Sequence, residues 1–388
     1  MAQLEPGSKV LVAMSGGVDS SLAAALLREQ GHEVVGCFMR LGSPGEDVGE
    51  GEKGGEACAP GDPRPAAGRS IRIGHQGCCS INDAKDAQLV AASLGVPLYV
   101  LNFKAEFGRV IDYFVAEYDA GRTPNPCVRC NDWLKFGRLM EYADSIDARY
   151  VATGHYARVE SVEGRPALLR GVDTDKDQSY VLFGQGLPRL ERMLLPLGGY
   201  TKDKVRAMAR ERGLAVHDKP DSQEICFVPD MDYAGLIARR SPGSMAPGVV
   251  LDLAGRPLGT HGGHQRFTVG QRRGLGLQSE RPLYVVGKDP ASNTVTVGPR
   301  DAVEASGLEA NQWNWLVPAP MGPRRCEVKH RHNSQPVGAT VEALGEGGAR
   351  VRFDQPQFAV APGQAVVCYE GDRVLGGGWI TASLPVGG

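Results

Sequence analysis

Three short stretches of this chain hold residues whose types and spacing suit chemistry. Ser15-Gly16-Gly17-Val18-Asp19-Ser20 sets two glycines among polar side chains. Cys127-Val128-Arg129-Cys130 is a C-x-x-C in Pro-rich surroundings, and Cys226 stands in Asp221-Ser222-Gln223-Glu224-Ile225-Cys226-Phe227. Paired glycines let the main chain approach a ligand closely, and amides that open a helix point partial positive charge at one place, which suits an anion. The common phosphate loop, G-x-x-x-x-G-K-[ST], needs a lysine that this loop lacks, so this is a different phosphate cradle. The thiols suit a metal or redox chemistry. A structural zinc site wants four ligands, usually from two spaced pairs, and the adjacent Cys78 and Cys79 make a poor second pair. Inert buried thiols are the bland alternative, against which the polar and Pro-rich surroundings count.

The elements that must position these residues can be read from periodicity. Apolar residues 10–13 form a strand, and residues 22–27 continue at helical spacing to a stop at Gly31. The Gly-rich stretch is therefore a strand-to-helix turn. Strands follow at 33–39 and 98–103, with helices at 84–94 and 107–118, the first preceded by a capping box from Ser80 to Asp83. Alternation of this kind predicts a doubly wound parallel sheet with ligands at the carboxyl ends of its strands. Residues 42–75, rich in Gly, Pro and charge, read as an insertion containing Cys58. Residues 121–131 read as a loop, 133–142 as a helix, 150–154 as a strand, and 185–212 as a helix in two pieces with Thr201 capping the second. Beyond about residue 213 short strands take over, at 249–253, 265–269, 283–286 and 294–297, then near 327–330, 340–343, 350–353, 365–369 and 378–381. That spacing predicts two small β-barrel-like domains. The expected division is 1–213, 214–300 and 301–388.

Composition bounds the function classes. A chain of 388 residues, 42% hydrophobic and 23% charged, has ample core for two or three domains. A net charge of −2 argues against non-specific coating of nucleic acid while leaving room for a local basic face. No run of 18 apolar residues predicts a membrane-spanning helix, and the first residues resemble neither a signal nor a transit peptide. A reducing cytoplasm is the expected location, with the nine cysteines mostly thiols.

The turn at 15–20 resembles the PP-loop, S-G-G-x-D-S, of ATP-pyrophosphatases, which split ATP between its α and β phosphates. Together with GRTPNPC-x-x-CN, ATGHYARV, KDQSY, DSQEICF and TVGQRRGLG, in that order over nearly the whole chain, it resembles the tRNA-specific 2-thiouridylases. The resemblance implies a HUP-like PP-loop domain followed by two β domains, and 2-thiolation of wobble uridine 34 in tRNA. It implies ATP as cosubstrate, with Mg²⁺, for which Asp19 is a candidate ligand. It assigns nucleotide contacts to Ala13, Met14, Ser15, Gly16, Gly17, Val18, Asp19, Ser20, Met39 and Gly154. Contacts with tRNA fall to Asn125, Pro126, Cys127, Lys176, Asp177, Gln178, Arg331 and His332. Cys226 is implied as the persulfide carrier and Cys130 as the nucleophile that leaves a transient Cys130–Cys226 disulfide. A sulfur donor, either a cysteine desulfurase or a relay protein, and a reductant are the implied partners, with no membrane. Two positions depart from the family pattern: Cys127 stands where Asp is common, and His332 where Tyr is. Two other readings compete, a PP-loop amide-forming synthetase and a non-catalytic tRNA-binding protein. The first does not account for the two distant cysteine-bearing stretches, and the intact loop from Ser15 to Ser20 argues against the second.

Overall fold

The computed structural model describes residues 5–42, 81–221, 225–228 and 232–387. The insertion expected over 42–75, apart from Gly42, the Ser80 cap, and Cys58, Cys78 and Cys79 lie outside them. The first half of the chain runs β1 (Lys9–Ala13), α1 (Val18–Glu29), β2 (Glu33–Arg40), α2 (Ile81–Leu94), β3 (Leu98–Asn102), α3 (Lys104–Asp119), α4 (Pro126–Cys130), a π-helical stretch (Asn131–Arg138), α5 (Leu139–Ser145), β4 (Tyr150–Ala152), the hairpin β5 (Ala157–Val162) and β6 (Arg165–Arg170), α6 (Leu187–Leu190), β7 (Met193–Leu194) and α7 (Lys202–Glu211).

Five of these strands form the expected parallel sheet in the order β3-β2-β1-β4-β7. Strand order reverses between β1 and β4, and the crevice outside such a reversal is where α/β sheets bind ligands. Alternation along β1 divides the core. Leu11 and Ala13 join Phe107, Phe114 and Leu134 on one face, while Val10 and Val12 join Leu22, Val90 and Val205 on the other. Helix α1 is buried from Ser20 to Leu27, because small alanines let it lie close to the sheet and to α7. Gly31 ends it at φ +84°.

The later chain holds α8 (Tyr233–Arg240), β8 (Gly248–Leu251), β9 (Pro257–His261), β10 (Tyr284–Asp289) and β11 (Thr294–Gly298). These four strands make one sheet, β10-β11-β8-β9. Next come β12 (Glu304–Trp315), β13 (Arg324–Lys329), β14 (Val337–Leu344), β15 (Gly348–Phe358), β16 (Ala365–Glu370) and β17 (Arg373–Pro385). A further pairing of β12 with β17 closes these six into a barrel. Alternation on β16 serves two cores at once: Val366 and Cys368 fill the barrel, and Val367 and Tyr369 pack on the nucleotide-fold side. The β5–β6 hairpin, which belongs by sequence to the first half, extends the barrel sheet through the pairing of Leu169 with Arg373.

Several expected elements are corrected. Residues 126–130 are helical rather than loop, because Pro126 occupies the first helical position and Asn125 caps it. The strand expected at 265–269 is largely replaced by a 3₁₀ turn, His264–Arg266. The first helical piece expected within 185–212 shrinks to Leu187–Leu190, and Met193–Leu194 joins the sheet edge. Strands β5, β6, β9 and β12 escaped the pattern, since polar and glycine-rich strands of this kind show little apolar alternation.

Candidate active site

The stretch between β1 and α1 lies at the sheet's reversal point. The Ser15 amide donates to Ser20 Oγ at 3.1 Å, and the two hydroxyl oxygens are 3.2 Å apart. Ser20 and Ser21 hydroxyls donate to the Gly17 carbonyl at 3.2 and 2.8 Å. Gly17 is the helix N-cap, and no side chain caps α1, which leaves first-turn amides to receive an anion. Gly16 has φ +74°, and a Cβ there would stand 2.1 Å from the Asp83 carbonyl oxygen. Gly154, just past β4, would place a Cβ 2.8 Å from both the Asp19 carbonyl carbon and the Ser20 nitrogen. The structure thus gathers Ala13 through Ser20 and Gly154 into one cradle. Ala13, Met14 and Val18 are buried beneath it, and Met39 is half-buried at the end of β2.

A ring of charged groups surrounds the cradle. Lys202 Nζ lies 2.8 Å from both Asp19 oxygens and 2.8 Å from Asp221 Oδ1. The Tyr156 hydroxyl donates to Asp19 Oδ1 at 2.7 Å. Burial and the Asp19 charge push the Tyr156 pKa upward, so it keeps that proton. Lys176 and Arg206 each reach Asp221 at 2.9 Å. Burial works against ionisation of Asp221, but hydrogen bonds and charge from Lys202 and Lys176 prevail and hold its pKa at about 2. Lys219 Nζ donates to the Gly16 carbonyl at 3.0 Å and meets Asp83 and Asp86 at 2.6 and 2.5 Å. Burial opposes its charge, yet the two carboxylates raise its pKa. Lys202 and Lys219 lie outside every motif, and their only signal is position, next to the Thr201 cap and the 221–227 stretch; Tyr156 lies within ATGHYARV beside Gly154 without being singled out.

The C-x-x-C lies on α4, where Asn125 Oδ1 accepts from the Val128 amide at 3.4 Å. Cys127 is exposed and Cys130 half-buried. Cys226 is also half-buried, and both it and Cys130 pack against the same core beneath the sheet. Phe227 anchors the Cys226 stretch edge-on to Phe107 and Phe114 of α3, at ring separations of 5.6 and 5.2 Å. Arg129 fixes α4 to the barrel: its guanidinium lies 4.0 Å from the Trp379 ring and donates to Gln312 Oε1 at 3.0 Å. The Gln364 amide donates to the Pro124 carbonyl at 2.9 Å. Beyond Cys130 the helix widens to a π-helix, a departure frequent at functional sites. Gly137 permits it, since a Cβ there would be 2.7 Å from the Asp132 carbonyl oxygen.

Asp132 shows what this packing costs. Burial raises its pKa to about 6, despite Arg129, Arg189 and a 2.5 Å hydrogen bond from Gln185. A carboxyl whose folded pKa lies above its ordinary 3.8 binds its proton better when folded, so stability falls as pH rises between about 4 and 6. Asp132→Asn is expected to gain stability relative to the wild type across that window and to hold a constant advantage above it. Urea unfolding midpoints from pH 4 to 8 check this; parallel profiles for the two proteins would contradict it.

The residues expected to contact tRNA separate into two kinds. Lys176 is exposed and Cys127 projects from α4, whereas Asn125 and Pro126 are buried and shape the turn. The Asp177 carboxylate is buried and accepts from the Gly171 and Ser179 amides, both at 3.0 Å, and from the Ser179 hydroxyl at 2.9 Å. Gln178 Oε1 likewise accepts from the Tyr156 amide at 3.0 Å. Asp177 thereby ties the turn from Gly171 to Ser179, and Gln178 holds the main chain at Tyr156. Arg331 is half-buried and donates to the Phe358 and Ala359 carbonyls, and His332 lies exposed with its ring 5.8 Å from that of Tyr180. Asp177→Ala is expected to lower stability by about 3 kcal/mol, because it strands buried amide donors. A calorimetric scan unchanged from wild type would refute that role.

Among the described residues no group of three or more His, Cys, Asp or Glu side chains is placed to hold a metal, and no helix is long and apolar enough to cross a membrane.

Comparison with known proteins gives matches over most of the chain. Residues 8–230 match a family described as the tRNA methyl transferase HUP domain, residues 237–299 the tRNA methyl transferase PRC-barrel domain, and residues 305–380 the aminomethyltransferase beta-barrel domain. The chain is 48% identical over 375 residues to the tRNA-specific 2-thiouridylase MnmA of Geotalea uraniireducens, covering 96% of this chain and 94% of that protein. It is 46% identical to the protein of the same name from Rhodopirellula baltica, over 97% of each chain. It is 47% identical to that from Carboxydothermus hydrogenoformans, over 97% of this chain and 98% of the relative.

Proposed function

The chain belongs to the family of tRNA-specific 2-thiouridylases, and from that premise we propose that it replaces the C2 oxygen of wobble uridine 34 in tRNA with sulfur at the expense of ATP. The observation that supports this best is the pairing of an uncapped, glycine-built helix start with two thiol-bearing segments on the same core. The C2 oxygen of uracil is a poor leaving group. Transfer of the α-phosphoryl of ATP to that oxygen makes it a good one, and amides of the Ser15–Ser20 turn stabilise the departing pyrophosphate. The terminal sulfur of a Cys226 persulfide then adds at C2, and AMP leaves with the oxygen. The Cys130 thiolate attacks the inner persulfide sulfur, which frees the thiocarbonyl and leaves a Cys130–Cys226 disulfide for a reductant to open. A cysteine desulfurase or a relay protein supplies the sulfur.

Mg²⁺ that accompanies ATP needs only one or two carboxylates from the protein. Asp19 fits, since both its oxygens already face a cation, the Lys202 ammonium. On the tRNA side, Lys176, Cys127, Arg331 and His332 offer the contact surface, over a turn shaped by Asn125 and Pro126. Cys127 fills the place where an Asp would assist proton transfer. A cytoplasmic location and a division at residues 213 and 300 accompany this reading.

The test is product analysis with ATP labelled at the α-phosphate. AMP and pyrophosphate are expected only with tRNA carrying uridine 34. Release of ADP, or AMP formation indifferent to the wobble base, would overturn the proposal.

A further inference from the structure

The stretch TVGQRRGLG, residues 268–276, belongs to a surface loop that leads into β10. Gln271 fixes its shape. Its Oε1 accepts from the Thr268 amide at 3.0 Å, and its side-chain amide donates to the Arg273 carbonyl at 2.9 Å. Main-chain bonds fasten the turn to β10, from the Gly270 amide to the Val285 carbonyl at 2.8 Å and from the Val285 amide to the Gln271 carbonyl at 3.0 Å. Arg272 and Arg273 follow directly and are exposed. Arg272 lines one surface hollow together with Arg281, which is exposed at the far end of the same loop. Arg300, also exposed, lies with its guanidinium 4.5 Å from the Phe358 ring. Among the described residues none of these four guanidiniums has a carboxylate within ion-pair distance. Elsewhere exposed arginines are paired, as Arg122 is with Glu117, Arg138 with Glu141 and Arg325 with Asp354. A chain of net charge −2 thus concentrates unneutralised cations in one place, where they repel one another.

Two sets of contacts locate this loop. A Cβ on Gly270, at φ +86°, would run into the Ala359 side chain, so the loop packs directly on the residues that end β15. The carbonyls of Phe358 and Ala359 also hold Arg331. From Ala359 the chain runs on to the turn ahead of α4. There the Thr123 amide donates to the Pro362 carbonyl at 2.8 Å, and Gln364 donates to the Pro124 carbonyl at 2.9 Å. Five residue steps, from Ala359 to Gln364, span at most about 18 Å, so the arginine loop and the turn that presents Cys127 are anchored within that distance of each other.

We propose that Arg272, Arg273, Arg281 and Arg300 bind the phosphate backbone of the tRNA stem that carries the wobble nucleotide. This rests on the reading of tRNA as substrate and extends its contact surface into the central β domain. Guanidiniums meet phosphate oxygens through paired N–H donors. An A-form helix hides its bases in a deep, narrow groove, so proteins hold it by shape, 2′-hydroxyls and phosphates. Phosphate contacts fix register and orientation without reading sequence. A stem gripped at this loop has its end carried past Arg331 toward Cys127, and the RNA supplies the negative charge that the loop lacks.

The experiment is filter binding of an unmodified tRNA transcript carrying uridine 34 to the full chain, between about 50 and 200 mM KCl. The double variants are Arg272→Gln with Arg273→Gln, and Arg281→Gln with Arg300→Gln. The control is Arg28→Gln, an exposed arginine in the last turn of α1, at the other end of that helix from the cradle. Each double variant is expected to bind about tenfold more weakly or worse. Its plot of log Kd against log salt is expected to be shallower by about 1.5, since each phosphate contact contributes roughly 0.7–0.9 to that slope. Arg28→Gln is expected to match the wild type, and thermal unfolding checks that all three variants fold. Wild-type affinity and slope in both double variants would overturn the proposal. An equal loss in Arg28→Gln would overturn it too, by showing a general effect of net charge. Normal tRNA binding with impaired sulfur uptake from a donor protein would overturn it in favour of an acidic protein partner. These outcomes leave tRNA standing as substrate, whereas a wild type that binds no tRNA would overturn that reading and this proposal together.

Discussion

Cys226→Ser and Cys130→Ser are each expected to abolish 2-thiouridine in tRNA, by three orders of magnitude or more, and to do so at different points. A serine hydroxyl cannot carry a persulfide, so Cys226→Ser accepts no sulfur at all. Cys130→Ser retains Cys226 and is expected to accept sulfur, yet it lacks the thiolate that cleaves the persulfide after attack on C2. Both variants are expected to fold, since the two thiols are half-buried and serine is close in size. Cys127→Ser is expected to stay within about tenfold of wild type if that exposed residue only faces the base. The measurement is mass spectrometry of nucleosides from a deletion strain carrying each variant, with intact-protein mass to detect the sulfur adduct. Thiolation restored by both single variants would remove the two-cysteine mechanism, and thiolation that persists in the deletion strain itself would remove this chain from the reaction.

Gly154→Ala is expected to weaken ATP binding at least 100-fold and to lower stability by about 1–3 kcal/mol. Its Cβ would meet main-chain atoms of Asp19 and Ser20 at 2.8 Å, and main chain cannot swing aside as a side chain can. The loop must shift, and the amides at the start of α1 with it. Gly17→Ala provides the contrast. A Cβ there meets only Ser15 Oγ, at an ordinary 3.5 Å, and its φ of −96° suits alanine. The fold is expected to tolerate Gly17→Ala, so any loss of nucleotide affinity reports crowding of the ligand. Calorimetric titration with α,β-methylene-ATP, alongside thermal unfolding, separates the two glycines. Equal behaviour of the two variants in both assays would show that close backbone packing at Gly154 is not what shapes the cradle.

The sequence carried the strand-turn-helix around Gly16 and Gly17 because apolar period and glycine placement agree there. That Cys130 and Cys226 pack on one core was not legible, since nothing in spacing brings residues so far apart together, and their pairing is implied by the resemblance alone. The ring formed by Lys202, Asp221 and Lys219 was invisible for a related reason. Isolated charges look like solvated surface until the fold buries them, and only α7 lying beside α1 gives Lys202 its carboxylates. Asp177 shows the same limit: by itself a charged residue between Lys176 and Gln178 looks like solvated surface, and only the fold supplies the three internal donors that draw its carboxylate inward. The helical state of 126–130 was legible in hindsight from Asn125-Pro126, a cap followed by a first-turn proline, but two prolines within three residues weigh more heavily as loop punctuation.

The Arg129 anchor bears on how the enzyme is born. Helix α4 is secured by Gln312, Gln364 and Trp379, all from the barrel that is synthesised last. A chain emerging from the ribosome completes its nucleotide sheet long before those partners exist, and domains made first fold first. The growing polypeptide therefore completes its parallel sheet while α4 still lacks the barrel residues that secure it, and the core beneath that sheet is finished only when Val367, Tyr369 and Trp379 arrive.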